Sequence, residues 1–107
     1  MSTWDSERMG PMTPDTIRQL FIPARNFRVS AYEYPAGSEF SAAAREGVCY
    51  VLRGQVMYRF EQYPVEFSLR MGQYAVLPEG SRRVVVDERE AASIIMVWKI
   101  PDEFCLN

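Results

Sequence analysis

Apolar and polar side chains alternate with a period of two along much of the chain after its first 26 residues. The segments Phe27–Ala31, Val56–Phe60 and Val65–Leu69 each place an apolar residue at every second position. Such alternation is typical of β-strands with one buried face. Further apolar stretches predict the remaining strands, at Val48–Leu52, Tyr74–Leu77, Val84–Val86 and Ile94–Ile100. The pattern therefore predicts an all-β protein.

Turn-forming residues separate these strands at short intervals. They are Pro35, Gly37, Gly54, Pro64, Gly72, Pro78 and Gly80. Roughly seven or eight short strands with this spacing predict an antiparallel sandwich or barrel. The chain has 107 residues, of which 48% are hydrophobic and 24% charged, which is the size and balance of one globular domain.

The N-terminal part lacks this alternation. Residues 1–12 are polar and rich in methionine, which predicts a flexible arm. Thr13, Pro14 and Asp15 then resemble a helix start, with an N-cap, a proline at the first helical position and an acid in the first turn. Pro23 would end that helix; the alternative is an extended arm with a short strand at residues 20–22. We expect an arm over residues 1–26, a barrel over 27–101 and a tail over 102–107.

The chain contains no histidine. This excludes serine–histidine and cysteine–histidine nucleophile pairs, the iron site of two histidines and a carboxylate, and histidine-based zinc sites. Acid–base chemistry would have to use carboxylates, tyrosines, cysteines or Lys99. With 12 basic and 14 acidic residues the net charge is −2, so no broad basic surface attracts nucleic acid or anionic lipid.

The two cysteines and the N-terminus indicate the compartment. Cys49 and Cys105 form neither a disulfide framework nor a CxxC pair, and we expect Cys105 to be inert. The first ten residues carry acids and lack the apolar core of a signal peptide. No apolar run reaches the length that spans a membrane. A cytoplasmic protein is the expectation.

Two segments resemble the conserved motifs of the cupin superfamily. Residues 47–54, Gly-Val-Cys-Tyr-Val-Leu-Arg-Gly, are similar to the end of the first motif. Residues 72–83 are similar to the second, with Gly72, Pro78 and Gly80 at its spacing. The resemblance implies a double-stranded β-helix, or jelly-roll barrel, over residues 27–101. It also implies a homodimer, across which the arm and Trp4 would pack.

The resemblance fails at the positions where cupins bind metal. The carboxylate position holds Gly47, and the His and Asn positions of the second motif hold Arg83 and Asp87. The two His positions of the first motif hold Ser41 and Ala43, or Phe40 and Ala42 if the loop is one residue longer. Glu46 is one residue away from the carboxylate position, which predicts that it points out of the barrel. We therefore expect no metal and no cofactor.

The same motif alignment predicts which side chains line the barrel. Counting every second residue from Gly47 places Cys49 and Val51 inside, and the alternation of the next hairpin adds Tyr58 and Phe60. The predicted interior positions are Gly47, Cys49, Val51, Tyr58, Phe60, Tyr74 or Val76, and Arg83 in place of the motif's histidine. An apolar cavity with one fixed cation suits a small carboxylate or phosphate. In the alternatives, Arg83 is a solvated residue or pairs with Asp87 or Glu46, and large side chains fill the barrel completely.

These residues support three hypotheses. The first is a metal-free protein without catalysis that binds a small, possibly anionic, molecule or acts as a dimeric sensing or scaffold module. The second is a metal-independent isomerase or lyase that uses Arg83 with Tyr58, Tyr74 or Cys49. The third is a metal enzyme whose ligands are Cys49, Glu46 and Asp87.

Overall fold

The computed structural model describes residues 2–20, 27–61 and 66–99. Within them, short strands and two short helices follow one another in this order: β1 (Ser2–Thr3), α1 (Ser6–Met9), α2 (Pro14–Leu20), β2 (Phe27–Tyr34), β3 (Glu39–Ala44), β4 (Gly47–Arg53), β5 (Gln55–Phe60), β6 (Glu66–Arg70), β7 (Gln73–Leu77), β8 (Gly80–Val86) and β9 (Ala92–Lys99). No helix in these ranges is long and apolar enough to span a membrane.

The strands form two antiparallel sheets. The first sheet has the order β1-β7-β4-β9-β2, and the second has the order β3-β8-β5-β6. Most neighbours within a sheet are distant in sequence, so the chain crosses repeatedly from one sheet to the other, as in a jelly roll. The predicted all-β jelly-roll barrel is confirmed.

The inner core lies between the two sheets. Val56, Tyr58 and Phe60 of β5 all point into it, as their alternation predicts, and each is less than 5% exposed. From the first sheet, Cys49 and Val51 of β4 face the same core. The predicted interior positions of Cys49, Val51, Tyr58 and Phe60 are therefore correct.

The outer face of the first sheet carries a second apolar cluster, formed with the N-terminal segment. Trp4 and Ile17 are buried there against Tyr50, Ile95 and Val97. Covering both faces of the sheet explains why β9 is apolar at consecutive positions, as strands buried on both sides are. The packing of Trp4 differs from the flexible arm predicted for residues 1–12, because period-two analysis does not detect one aromatic anchor.

The predicted helix start at Thr13 is confirmed. The Oγ1 of Thr13 accepts a hydrogen bond from the backbone N–H of Thr16 at 3.2 Å, and Pro14 is the first residue of α2. Leu20 belongs to this helix, whereas the other two residues of the alternative strand, 21 and 22, lie outside the described residues. The end of the predicted barrel, Cys105 and the C-terminal tail also lie outside them.

The turn between β4 and β5 requires a glycine. Gly54 has a φ of +79°, and a Cβ at this position would lie 2.6 Å from the carbonyl oxygen of Ala91. Both constraints exclude a side chain. The glycine of the first motif therefore has a structural role: it allows the tight turn by which the chain passes from the first sheet to the second.

Candidate functional site

A cavity of about 220 Å³ lies inside the barrel between the two sheets. Side chains from β2, β3, β5, β8 and β9 form its wall. The large apolar ones are Phe40, Val84, Ile94, Met96 and Trp98. The polar side chains of the wall are Tyr32, Tyr34, Tyr58 and Arg82. Apolar walls with a few convergent polar groups are typical of small-molecule sites.

The cation of this cavity is Arg82 on β8. It is only 3% exposed, and its neighbours in the second sheet are Ala42 on β3 and Phe60 on β5. Its Cζ lies 5.6, 5.9 and 5.5 Å from the ring centroids of Tyr58, Phe60 and Trp98, respectively. Cation–π attraction to these rings holds the guanidinium in the barrel.

No acidic partner compensates Arg82 within the part of the chain that the structure describes. Its Nη1 is buried and has no hydrogen-bond partner there, and the salt bridges of that part involve other arginines. Burial lowers the pKa of Arg82, but a guanidinium keeps its proton in proteins. The barrel interior therefore holds a positive charge whose donors are incompletely satisfied.

Cys49 and Tyr58 form a buried pair beside this cation. Cys49 Sγ and Tyr58 Oη are 3.2 Å apart, within hydrogen-bond distance. Burial raises the pKa of the Cys49 thiol to about 11, although Tyr58 and Arg82 oppose that shift. Burial likewise raises the pKa of Tyr58 well above its ordinary value. Both groups are therefore protonated and neutral near pH 7.

Arg83, the predicted interior cation, lies on the outer face of β8. It is exposed, and its Nε donates to the Oε1 of Glu39 at 2.6 Å. The prediction that it points into the barrel is wrong by one residue, and Arg82 takes that place. Two arginines followed by three valines do not show which alternate side chains of the strand are buried. The sequence therefore contains no clear signal that Arg82, and not Arg83, faces the interior.

The other frame for the first motif fits the structure better. Phe40 and Ala42 both line the cavity, whereas Ser41 is exposed and pairs with Arg83 across the second sheet. Ala43 also reaches the wall. The loop is thus one residue longer than in the frame that placed Ser41 inside.

Tyr74 does not belong to the cavity. Its ring lies 5.1 Å from that of Tyr50 and 6.3 Å from that of Trp4, on the outer face of the first sheet. Ala75 and Leu77 are the residues of β7 that face the inner core, while Val76 is 59% exposed. Both predicted interior residues of β7 are therefore on the wrong face, because the strand has apolar residues at consecutive positions.

Gly47 is buried but has a packing role. A Cβ there would lie 2.7 Å from the carbonyl oxygen of Val97 and 3.2 Å from Cε3 of Trp98. It is not part of the cavity wall, in contrast to the prediction. The glycine instead lets β4 pass close to β9, which brings Trp98 to its position.

Comparisons with known proteins identify the architecture. No protein-family model matches the chain, and no curated protein matches it in sequence. Among solved structures, a cupin superfamily protein from Desulfitobacterium hafniense superposes with a TM-score of 0.58 at 10% identity, covering 73% of this chain and 71% of that one. The Cnp3 cupin domain of Schizosaccharomyces pombe gives 0.61 at 15% identity, with 76% and 57% covered. This chain has the cupin fold.

A further structure similar to this chain is the DMSP lyase DddQ from Ruegeria pomeroyi. The TM-score is 0.59 and the identity 18%, over 78% of this chain and 42% of the lyase. The chain thus spans less than half of the lyase and little more than half of the Cnp3 domain. Identities this low show the fold alone, so the chemistry of this protein has to be inferred from its own side chains.

The metal that many cupins bind does not fit this barrel. No group of three or more histidine, cysteine, aspartate or glutamate side chains converges within the described residues. The hypothetical ligands Cys49, Glu46 and Asp87 are not brought together: Glu46 is exposed, and Asp87 pairs with Arg89. The charged side chain of the described cavity wall is instead the cation Arg82, which repels a metal ion.

Proposed function

We propose that this protein binds a small organic anion inside its barrel, with Arg82 as the anchor and without a metal. The observation that supports this most directly is the buried Nη1 of Arg82, which lacks a partner among the described residues. This residue takes the role that the sequence suggested for Arg83.

The energetic argument concerns the cost of burying a charge. Taking an ion out of water costs several kcal/mol even after the protein relaxes, unless an opposite charge is close. The rings of Tyr58, Phe60 and Trp98 offset part of that cost for Arg82, about 0.5–2 kcal/mol each. An anion in the cavity would satisfy the remaining donors of the guanidinium and neutralise its charge.

The volume of the cavity limits the size of the anion. A water molecule occupies about 30 Å³ in the liquid, and bonded atoms occupy somewhat less. A cavity of about 220 Å³ therefore holds roughly seven to ten non-hydrogen atoms. This is the size of a small metabolite.

Binding fits the chemistry better than catalysis does. The alternative of an isomerase or lyase relied on Arg83 and Tyr74, which lie outside the cavity, and on Cys49 and Tyr58. Burial raises the pKa of Cys49 to about 11 and that of Tyr58 well above 10, so neither exchanges a proton readily near pH 7. The remaining interior groups suit recognition of an anion.

The test is a thermal-shift and calorimetric screen of small carboxylates and inorganic phosphate. We compare the wild type with Arg82→Met, and use Arg83→Met as the matched control, because it removes the same group from the outer face. An anion at about 100 times its Kd should stabilise the wild type and the control by about 2.7 kcal/mol. It should not stabilise Arg82→Met. Equal stabilisation of all three proteins, or none in the wild type, would overturn the proposal.

A further inference from the structure

The polar groups of the cavity lie together at one end. Tyr58 Oη is hydrogen-bonded to Cys49, and the ring of Tyr58 lies under the guanidinium of Arg82. Tyr34 lines the same cavity as Tyr58 and Arg82. If the thiol donates to Tyr58, the Tyr58 hydroxyl is free to donate to a ligand. One end of the cavity thus offers a guanidinium and two phenol hydroxyls.

Apart from Tyr32, whose ring stacks on that of Tyr34, the rest of the wall is apolar. Val84, Ile94 and Met96 cover one part of it. Phe40 and Trp98 add aromatic faces, and the Phe40 ring centroid lies 5.1 Å from that of Tyr34. A ligand that fills this space therefore needs an apolar body attached to its charged group.

The charge of the wall limits the charge of the ligand. Arg82 is the only charged side chain among the cavity-lining residues that the structure describes. One negative charge neutralises it, whereas a second would be buried without a partner and would cost several kcal/mol. A planar carboxylate also matches the planar fork of a guanidinium.

On the basis of the proposed function, we infer that the ligand is a monocarboxylate with a compact apolar body, of the size and shape of benzoate. Benzoate has about nine non-hydrogen atoms, within the limit set by the cavity volume. Its carboxylate would lie against Arg82 and the hydroxyls of Tyr34 and Tyr58. Its ring would lie between the apolar side chains of the two sheets.

Isothermal titration calorimetry with four probes tests the ligand class. The probes are benzoate, its neutral analogue benzamide, the dianion phthalate, and inorganic phosphate. We expect benzoate to bind at least about tenfold more tightly than each of the others, which corresponds to about 1.4 kcal/mol. Arg82→Met should weaken benzoate binding at least tenfold, and Arg83→Met should leave it unchanged.

Two further variants test the role of Arg82 and of the cavity even if Arg82→Met folds poorly. Arg82→Lys retains the charge but loses the planar fork, so benzoate should bind with intermediate affinity. Ala42→Leu leaves Arg82 in place and fills the cavity from β3, so benzoate should no longer bind. Circular dichroism verifies that each variant is folded.

The outcomes separate this inference from the proposed function. If phthalate or phosphate binds more tightly than benzoate and Arg82→Met abolishes that binding, the anion site stands and the monocarboxylate class is wrong. If benzamide binds as well as benzoate, and Arg82→Met makes no difference, charge recognition is wrong and both proposals fail. Failure of every probe to bind the wild type overturns the monocarboxylate inference, and the screen of small carboxylates described above then decides the proposed function.

Discussion

Arg82 and Arg83 are adjacent in sequence and lie on opposite faces of β8. Arg82 is 3% exposed inside the barrel, whereas the side chain of Arg83 is 47% exposed and pairs with Glu39. Successive side chains of a strand point to opposite faces, so the two residues share a backbone environment and differ in surroundings. This makes Arg83 an internal control for every experiment on Arg82.

The first prediction concerns the stability cost of the buried charge. Replacing Arg82 by methionine removes an uncompensated cation and keeps most of the side-chain volume, so the free energy of unfolding should rise by about 1–3 kcal/mol. Arg83→Met loses only an exposed ion pair and should change it by less than about 1 kcal/mol. Urea denaturation without added anions measures both. A marked loss of stability in Arg82→Met would mean that Arg82 has a strong partner in the free protein.

The second prediction concerns alkaline pH. Burial raises the pKa of the Cys49 thiol from 9.0 to about 11. Between these values the unfolded chain has lost the proton and the folded chain keeps it, so stability falls as the pH rises. The contribution of Cys49 is fully present below pH 9 and is lost by about pH 11, with a slope of about 1.4 kcal/mol per pH unit.

Cys49→Ala is the control for that slope. The tyrosines also titrate at high pH, but in the unfolded chain they are half ionised only near pH 10, about one pH unit above the thiol. The variant should therefore have a flatter stability curve than the wild type between about pH 9 and 10, whatever its stability at pH 7. Parallel curves in urea denaturation series would show that the thiol is accessible to water.

The third prediction concerns the N-terminal segment. Trp4 packs edge-to-face against Tyr50 and Tyr74, and its Nε1 donates to the carbonyl oxygen of Gly10 at 2.8 Å. Trp4→Ala should lower the free energy of unfolding by about 3 kcal/mol, and Trp4→Phe by clearly less. Benzoate binding should be unchanged, since the cavity is on the other side of the sheet. A loss below about 0.5 kcal/mol would contradict the docking of this segment.

The fourth prediction compares two glycines. Gly47→Ala would push a Cβ against the backbone of Val97 and the ring of Trp98, so it should cost about 1–3 kcal/mol and weaken benzoate binding. Gly72→Ala meets nothing within 4 Å but has a φ of +86°, so it should cost about 1–2 kcal/mol and leave binding unchanged. Urea denaturation and calorimetry measure the two effects. Equal affinity in both variants would contradict the link from Gly47 to Trp98.

Period-two patterns predict the faces of strands only where apolar and polar residues really alternate. Tyr58 and Phe60 were assigned correctly because Arg59 separates them and points to the other face. β7 and β8 have consecutive apolar or consecutive basic residues, so alternation does not show which of their side chains face the interior. The motif alignment predicts the wrong alternate set on both strands, by one residue. Burial of an arginine depends on ring contacts across the barrel, which no local pattern contains.

The first sheet separates two apolar compartments, and β9 contributes to both. Ile94 and Met96 face the cavity side, while Ile95 and Val97 face Trp4 and its neighbours. A truncated chain beginning at residue 27 would keep the residues that line the cavity. It would also expose the apolar outer face of the first sheet, which Trp4 and Ile17 cover in the full chain. Such a fragment would aggregate at lower concentrations than the full chain, while its affinity for anions would be unchanged. Its aggregation would therefore show that the N-terminal segment protects the apolar outer face of the sheet.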